Sequence, residues 1–144
     1  MSEFVIDASA ALAWLVRTQS TPASGRFLEV RDNNPFVAPY IFSWEVSNAL
    51  LSLFRRGALS STAHEQVLME LDGLEIRRQP AVSEVEIEAI ATFARNVGLT
   101  LFDAAYLTLA EERAAPIVSR DERLLAAAAA HGVPYVDLRE RTSP

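Results

Sequence analysis

Apolar positions along this chain alternate between two patterns. Short continuous apolar runs recur at 3–7, 36–38, 74–78, 116–119 and 134–137. Runs of this length, bounded by turn residues, predict strands buried on both faces. Between them the apolar residues recur at helical spacing. In "YIFSWEVSNALLSLFRRG", Val46, Ala49, Leu50, Leu53 and Phe54 follow the i, i+3, i+4, i+7, i+8 rule and predict one buried helix stripe. Capping signals mark where the helices begin. Thr21-Pro22 suits a first helical turn, and the tetrapeptides starting at Ser83, Thr100 and Ser119 fit the polar-x-x-acid pattern. Gly57, Gly98 and Gly132 fall where helices should stop.

Strands alternating with helices imply parallel pairing and an α/β fold with both sheet faces covered. In such sheets ligands bind beyond the carboxyl ends of the strands. Asp7, which closes "FVID", lies at such an end. So does the turn holding Ser119 and Asp121.

Four carboxylates stand out, and each has a structural role as its alternative. Asp7 can serve simply as the N-cap of the helix that begins "ASAALAWLV". Ser9, two residues on, can bond the same turn or help hold a water. Glu45 stands at the edge of its helix stripe, about 100° from Val46, with Asn48 one turn along the same edge. A first-turn Glu is also favoured by the helix dipole alone. Asp103 shares a face with Tyr106, Leu107 and Ala110, which is otherwise apolar. An inward carboxylate must be hydrogen-bonded, paired or metal-bound. A capping box with Thr100 explains its place in the first turn, though less well its inward direction. Asp121 follows a strand, among Arg120, Glu122 and Arg123, which read as solvated.

Four acids converging from across the chain would repel one another strongly without cations. Such a set suits Mg²⁺ or Mn²⁺, which take oxygen ligands and keep open positions for a phosphate oxygen and a water. Hydrolysis of a phosphodiester follows from that chemistry.

Composition narrows the picture further. The 144 residues are half hydrophobic and contain no cysteine, which fits one domain over 1–144 in a reducing compartment. No segment approaches the roughly 20 apolar residues of a membrane span, and the start does not read as a signal peptide. A soluble, cytoplasmic protein with no membrane partner is expected. The net charge of −6 argues against nucleic acid at first sight. Counting four clustered acids out of −6 leaves −2 for the rest of the chain, and bound cations would change the local sign. All thirteen basic residues are Arg.

The ordered set "VIDASAAL", "WEVSNALL", "LFDAAYLTLAEE" and "VSRDERLL" resembles the PIN-domain ribonucleases, specifically VapC-type toxins of bacterial toxin–antitoxin pairs. The resemblance runs from about residue 4 to residue 138. It implies a three-layer α/β/α sandwich around a parallel sheet. Asp7, Glu45, Asp103 and Asp121 fall on the family's four acidic positions. Asp7 and Asp103 match the more direct metal ligands; Glu45 and Asp121 complete the site directly or through water. Ser119 stands where the family places a small hydroxyl residue. The implied activity is an Mg²⁺- or Mn²⁺-dependent endoribonuclease, with metal-activated water cutting transfer or ribosomal RNA. A VapB-type antitoxin and a homodimer are the implied partners.

Arg55, Arg56, Arg95 and Arg120 are candidates for phosphate contacts, against the alternative of a solvated face. Trp14, Phe42, Trp44 and Phe54 read as core or antitoxin-groove residues. His64 and His131 read as surface or capping residues. A haloacid-dehalogenase reading fails because it needs an Asp where Ser9 stands. A receiver-domain reading needs a late Lys, and the chain has none. The metal site itself does not distinguish RNA from DNA. The alternative to catalysis is a non-catalytic PIN-fold module, or a decoy for an antitoxin.

Overall fold

A computed structural model describes residues 3–31 and 33–139. Five strands, β1 (Phe4–Ile6), β2 (Phe36–Ala38), β3 (Arg77–Arg78), β4 (Ile117–Ser119) and β5 (Tyr135–Asp137), form one sheet in the order β3-β2-β1-β4-β5. Every pair is parallel. The helices are α1 (Ala8–Leu15), α2 (Pro22–Val30), α3 (Phe42–Arg55), α4 (Ser61–Gly73), α5 (Glu84–Val97), α6 (Leu101–Arg113) and α7 (Glu122–Ala130), with a 3-10 turn at Arg17–Gln19.

The inner strands are apolar except for Ser119 at the end of β4, because successive side chains feed opposite faces and both faces are covered. Ile6, Phe36, Ala38 and Val118 enter the core built with α1, α2, α3 and α4. Val5, Val37 and Ile117 enter the core built with Tyr106, Leu107 and Leu109 of α6 and Leu124 of α7. A Val or Ile enclosed in this way contributes roughly 1.5–3 kcal/mol relative to an exposed one. The result is the expected α/β/α sandwich. The edge strand β3 consists of two exposed arginines, a composition that discourages further strand pairing.

Thr21 caps α2 with Pro22 in the first turn, Ser83 caps α5, and Thr100 caps α6. Gly98 ends α5 in the left-handed region at φ 74°, where a side chain would be strained. Among the described residues, no helix is long and apolar enough to cross a membrane.

The structure corrects several expectations. The strand read at 74–78 is only Arg77–Arg78, because Glu75 turns the chain at φ 52° before it can pair. The tetrapeptide from Ser119 is not a capping box. Ser119 stays in β4, paired with Asp137, and Asp121 is the N-cap of α7. Phe54 is 44% exposed and leaves the buried stripe that Val46, Leu50 and Leu53 form. Its ring lies 6.3 Å from that of half-buried His64. Trp44 is 71% exposed, whereas Phe42 is fully buried. Trp14 stacks on Phe27 and Phe36 and donates from Nε1 to the Ser24 carbonyl at 2.9 Å. His131 is the C-cap residue of α7 and meets the Phe93 ring at its edge.

Candidate active site

The sheet order reverses between β1 and β4, and the chain leaves both strands at the same end. Such a switch point is where parallel sheets place their sites. Asp7 follows β1 directly. Its amide donates to the Val118 carbonyl of β4 at 3.3 Å, and its side chain caps α1 by accepting from the Ala10 amide at 2.9 Å. The capping role and the site position therefore coexist in one residue.

Asp7 is only 4% exposed. A buried carboxylate needs donors, and two serines supply them. Ser119 Oγ donates to Oδ2 at 2.7 Å, and Ser9 Oγ lies 2.8 and 3.0 Å from Oδ1 and Oδ2. The β4–α7 turn holds these hydroxyls in place. Arg120 N donates to Ser9 Oγ at 2.8 Å, and Asp121 N donates to Ser119 Oγ at 2.9 Å. Each hydroxyl thus accepts from a backbone amide and turns its single hydrogen toward Asp7. The two serine oxygens lie 3.3 Å apart.

Burial pushes the Asp7 carboxyl up to about 6 from an ordinary 3.8. The bonds from Ser119, Ala10 and Ser9 hold it down in part, and the charge of Asp121 raises it further. Glu45 is half-buried in the first turn of α3. Its carboxyl is raised, chiefly by burial and then by the charges of Asp103 and Asp121, against a hydrogen bond from Tyr106. Asp103 is also half-buried. Burial and Asp121 raise it, while the Thr100 hydroxyl and Arg123 oppose the shift. The charge of exposed Asp121 is therefore felt at all three other acids. The four acids stand at the starts of α1, α3, α6 and α7.

Their contact is electrostatic rather than closed. Among the described residues, no group of three or more His, Cys, Asp or Glu side chains is placed so that it could hold a metal ion. The donors are nevertheless all carboxylate and hydroxyl oxygens, the kind that hard divalent cations take. Asp7 accepts from Ala10 N on Oδ1 and Ser119 on Oδ2, with Ser9 shared between the two oxygens.

The other expected residues divide. Ser9 and Ser119 bond Asp7 directly. Asn48 is exposed one turn beyond Glu45, and Arg55, Arg56 and Arg95 are exposed on α3, its C-cap and α5. Arg120 is half-buried, and its guanidinium donates to the backbone carbonyl and side-chain oxygen of Gln19. That guanidinium is committed within the fold rather than presented freely to a phosphate.

Sequence reasoning missed the role of Tyr106, whose hydroxyl donates to Glu45 Oε1 at 2.8 Å. Its place three residues after Asp103 on the inward face was the available signal. It also missed Arg123, which opposes the rise at Asp103 from the first turn of α7.

The PIN domain family model matches residues 4–130. Ribonuclease VapC3 of Mycobacterium tuberculosis is 32% identical over 122 residues, which cover 85% of this chain and 85% of that protein. The crystal structure of PAE2754 from Pyrobaculum aerophilum is similar with a TM-score of 0.68 at 23% identity, covering 94% of this chain and 90% of its own. FitAcB from Neisseria gonorrhoeae follows with a TM-score of 0.65 at 15% identity, covering 93% and 96%. At these identities the two structures speak for the fold alone. The matched region contains the buried Asp7 together with Glu45, Asp103 and Asp121, and the chain belongs to the PIN domain family as a VapC-type member.

Proposed function

We propose that this protein is an endoribonuclease, the toxin of a VapBC-type pair, and that it hydrolyses RNA phosphodiesters at the site of Asp7, Glu45, Asp103 and Asp121. The observation that carries the reading is Asp7, a carboxylate buried at the carboxyl end of β1 and coupled by charge to an acid on another helix. A purely structural N-cap needs no such burial and no like-charged neighbours. The name of the curated relative, Ribonuclease VapC3, supports the choice of RNA.

Asp7, Asp103, Glu45 and Asp121 would hold Mg²⁺ or Mn²⁺, which supplies acidification of a water and stabilisation of charge on the phosphate oxygens. The chain's own residues prepare that chemistry. Ser119 and Ser9 fix the Asp7 carboxylate at the end of β1. Thr100 fixes the first turn of α6 and so the direction of Asp103; Tyr106 braces Glu45. Asn48, Arg55, Arg56 and Arg95 are exposed around α3 and α5, where they are available to an RNA backbone.

A VapB-type antitoxin is the proposed protein partner in the cytoplasm. The exposed apolar residues Trp44, Leu51 and Phe54 of α3 support a covered face there. Self-association into a homodimer is also proposed. A groove of about 400 Å³ between α5 and α6, lined by Ile87, Ile90, Leu101 and Phe102 among others, supports it. A non-catalytic PIN-fold module remains the second reading, favoured by the open placement of the four acids.

The deciding experiment is cleavage of total cellular RNA by purified protein with Mg²⁺ or Mn²⁺ and with chelator, for wild type and Asp7→Asn. Discrete metal-dependent fragments that vanish in the variant are expected. Fragments that persist in Asp7→Asn would overturn the site assignment. No cleavage by folded, antitoxin-free protein would favour the non-catalytic module.

A further inference from the structure

Tyr106 is enclosed at 2% exposure among the residues that join α6 and α7 to the sheet. Its ring is held by that packing. Its hydroxyl reaches across to Glu45 Oε1, 61 residues earlier in the chain, at 2.8 Å. Among the described residues this is the one side-chain hydrogen bond that joins α3 to α6. The two helices carry two of the four acids, since Asp103 lies one turn before Tyr106 on α6.

Glu45 has three rotatable side-chain bonds and sits half-buried at a helix start. Without an anchor such a side chain populates several rotamers. Catalytic groups work only when held to within about 0.5 Å of the productive position. One hydrogen bond from a rigid phenol removes much of that freedom. It occupies one lone pair of Oε1 and leaves Oε2 and the other lone pair for a site partner.

We propose that Tyr106 is a positioning residue for the candidate site. It fixes the Glu45 carboxylate and sets its register against Asp103 on the helix that Tyr106 shares. The inference rests on the nuclease reading for its consequence, though the tyrosine's hold on Glu45 is testable without it.

The test compares wild type with Tyr106→Phe, which keeps the ring and removes only the donor. The first readout is NMR of the Glu45 side chain in metal-free protein, through its carboxyl carbon shift and side-chain couplings. A single rotamer in wild type and averaging in Tyr106→Phe are expected. Identical Glu45 rotamers in both proteins would overturn the proposal whether or not the protein cleaves RNA. The second readout is cleavage kinetics. Tyr106→Phe should lower kcat by about tenfold to a hundredfold with little change in KM for RNA. In a Glu45→Gln background the same change should add no further loss, since coupled residues are not additive. A full additional loss there would also overturn it. Failure of wild type to cleave would count against the nuclease reading, and the NMR comparison would still decide the role of Tyr106.

Discussion

Ser119 Oγ, at the end of β4, donates to Asp7 Oδ2, at the end of β1, at 2.7 Å across 112 residues of sequence. The same Ser119 oxygen accepts the Asp121 amide at 2.9 Å. One hydroxyl therefore ties together the two strand ends and the start of α7. Ser119→Ala removes a donor from a buried carboxylate and an acceptor from a backbone amide. A loss of about 1–3 kcal/mol in urea unfolding at neutral pH is expected. The Asp7 carboxyl should also rise above its value of about 6, because the lost bond favoured the ionised form. An NMR titration of the Asp7 carboxyl carbon checks this, and an unchanged midpoint would show that Ser9 and Ala10 suffice.

The raised Asp7 carboxyl makes stability depend on pH in a definite direction. Below about pH 4 folded and unfolded chains both carry the proton, and burial brings no charge penalty. As pH rises from 3.8 to about 6 the unfolded chain has released a proton that the folded chain keeps, so stability falls. Above about pH 6 the penalty is complete, about 3 kcal/mol at 1.36 kcal/mol per pKa unit. Glu45 and Asp103 shift in the same direction. Asp7→Asn should therefore be more stable than wild type at pH 7.5 in chelator and should lose that advantage near pH 4. Added Mn²⁺ should raise the Tm of wild type more than that of the variant. Urea unfolding at the two pH values, with and without the ion, measures all of these.

Arg120 and the pair Arg55-Arg56 should behave oppositely. Arg120 is half-buried and engages Gln19 through two acceptors. Arg120→Ala should lower stability by about 1–3 kcal/mol. Arg55 and Arg56 are exposed at the end of α3, and replacing both with Ala should change stability by no more than about 0.5 kcal/mol each. Their loss should weaken RNA binding and flatten its salt dependence by roughly one phosphate contact each. Binding by an uncleavable RNA across a salt series, alongside unfolding curves, separates the two roles.

Thr100 caps α6 by accepting the Asp103 amide at 3.1 Å. Thr100→Ala should cost about 1 kcal/mol and raise the Asp103 carboxyl, since the Thr100 hydroxyl holds it down. Thr100→Ser should restore both. Failure of Ser to rescue would mean that the methyl group, rather than the hydroxyl, matters at this position.

Much of this architecture was legible in the chain itself. Phe4, Val5 and Ile6 announce a strand covered on both sides because no polar residue interrupts them. Thr21, Ser83 and Thr100 announce helix starts because a cap bonds an amide only three residues away. Asp7 was visible as a strand-end acid, and the order of the four acidic motifs was recognisable along one line. These signals are local, or depend only on order.

Tertiary structure decided what depends on distant parts of the chain. The strand at 74–78 shrank because the backbone turned at Glu75. Ser119 left its apparent cap because the pairing of β4 with β5 held it in the sheet. Trp44 and Phe54 lie exposed off the buried stripe of α3, although the His64 ring of α4 lies against Phe54. The bonds of Ser119 to Asp7 and of Tyr106 to Glu45 span 112 and 61 residues. Periodicity reports only that a side chain points inward. Which partner it meets there is set by strand order and by which face of the sheet each helix covers, and both are properties of the assembled fold.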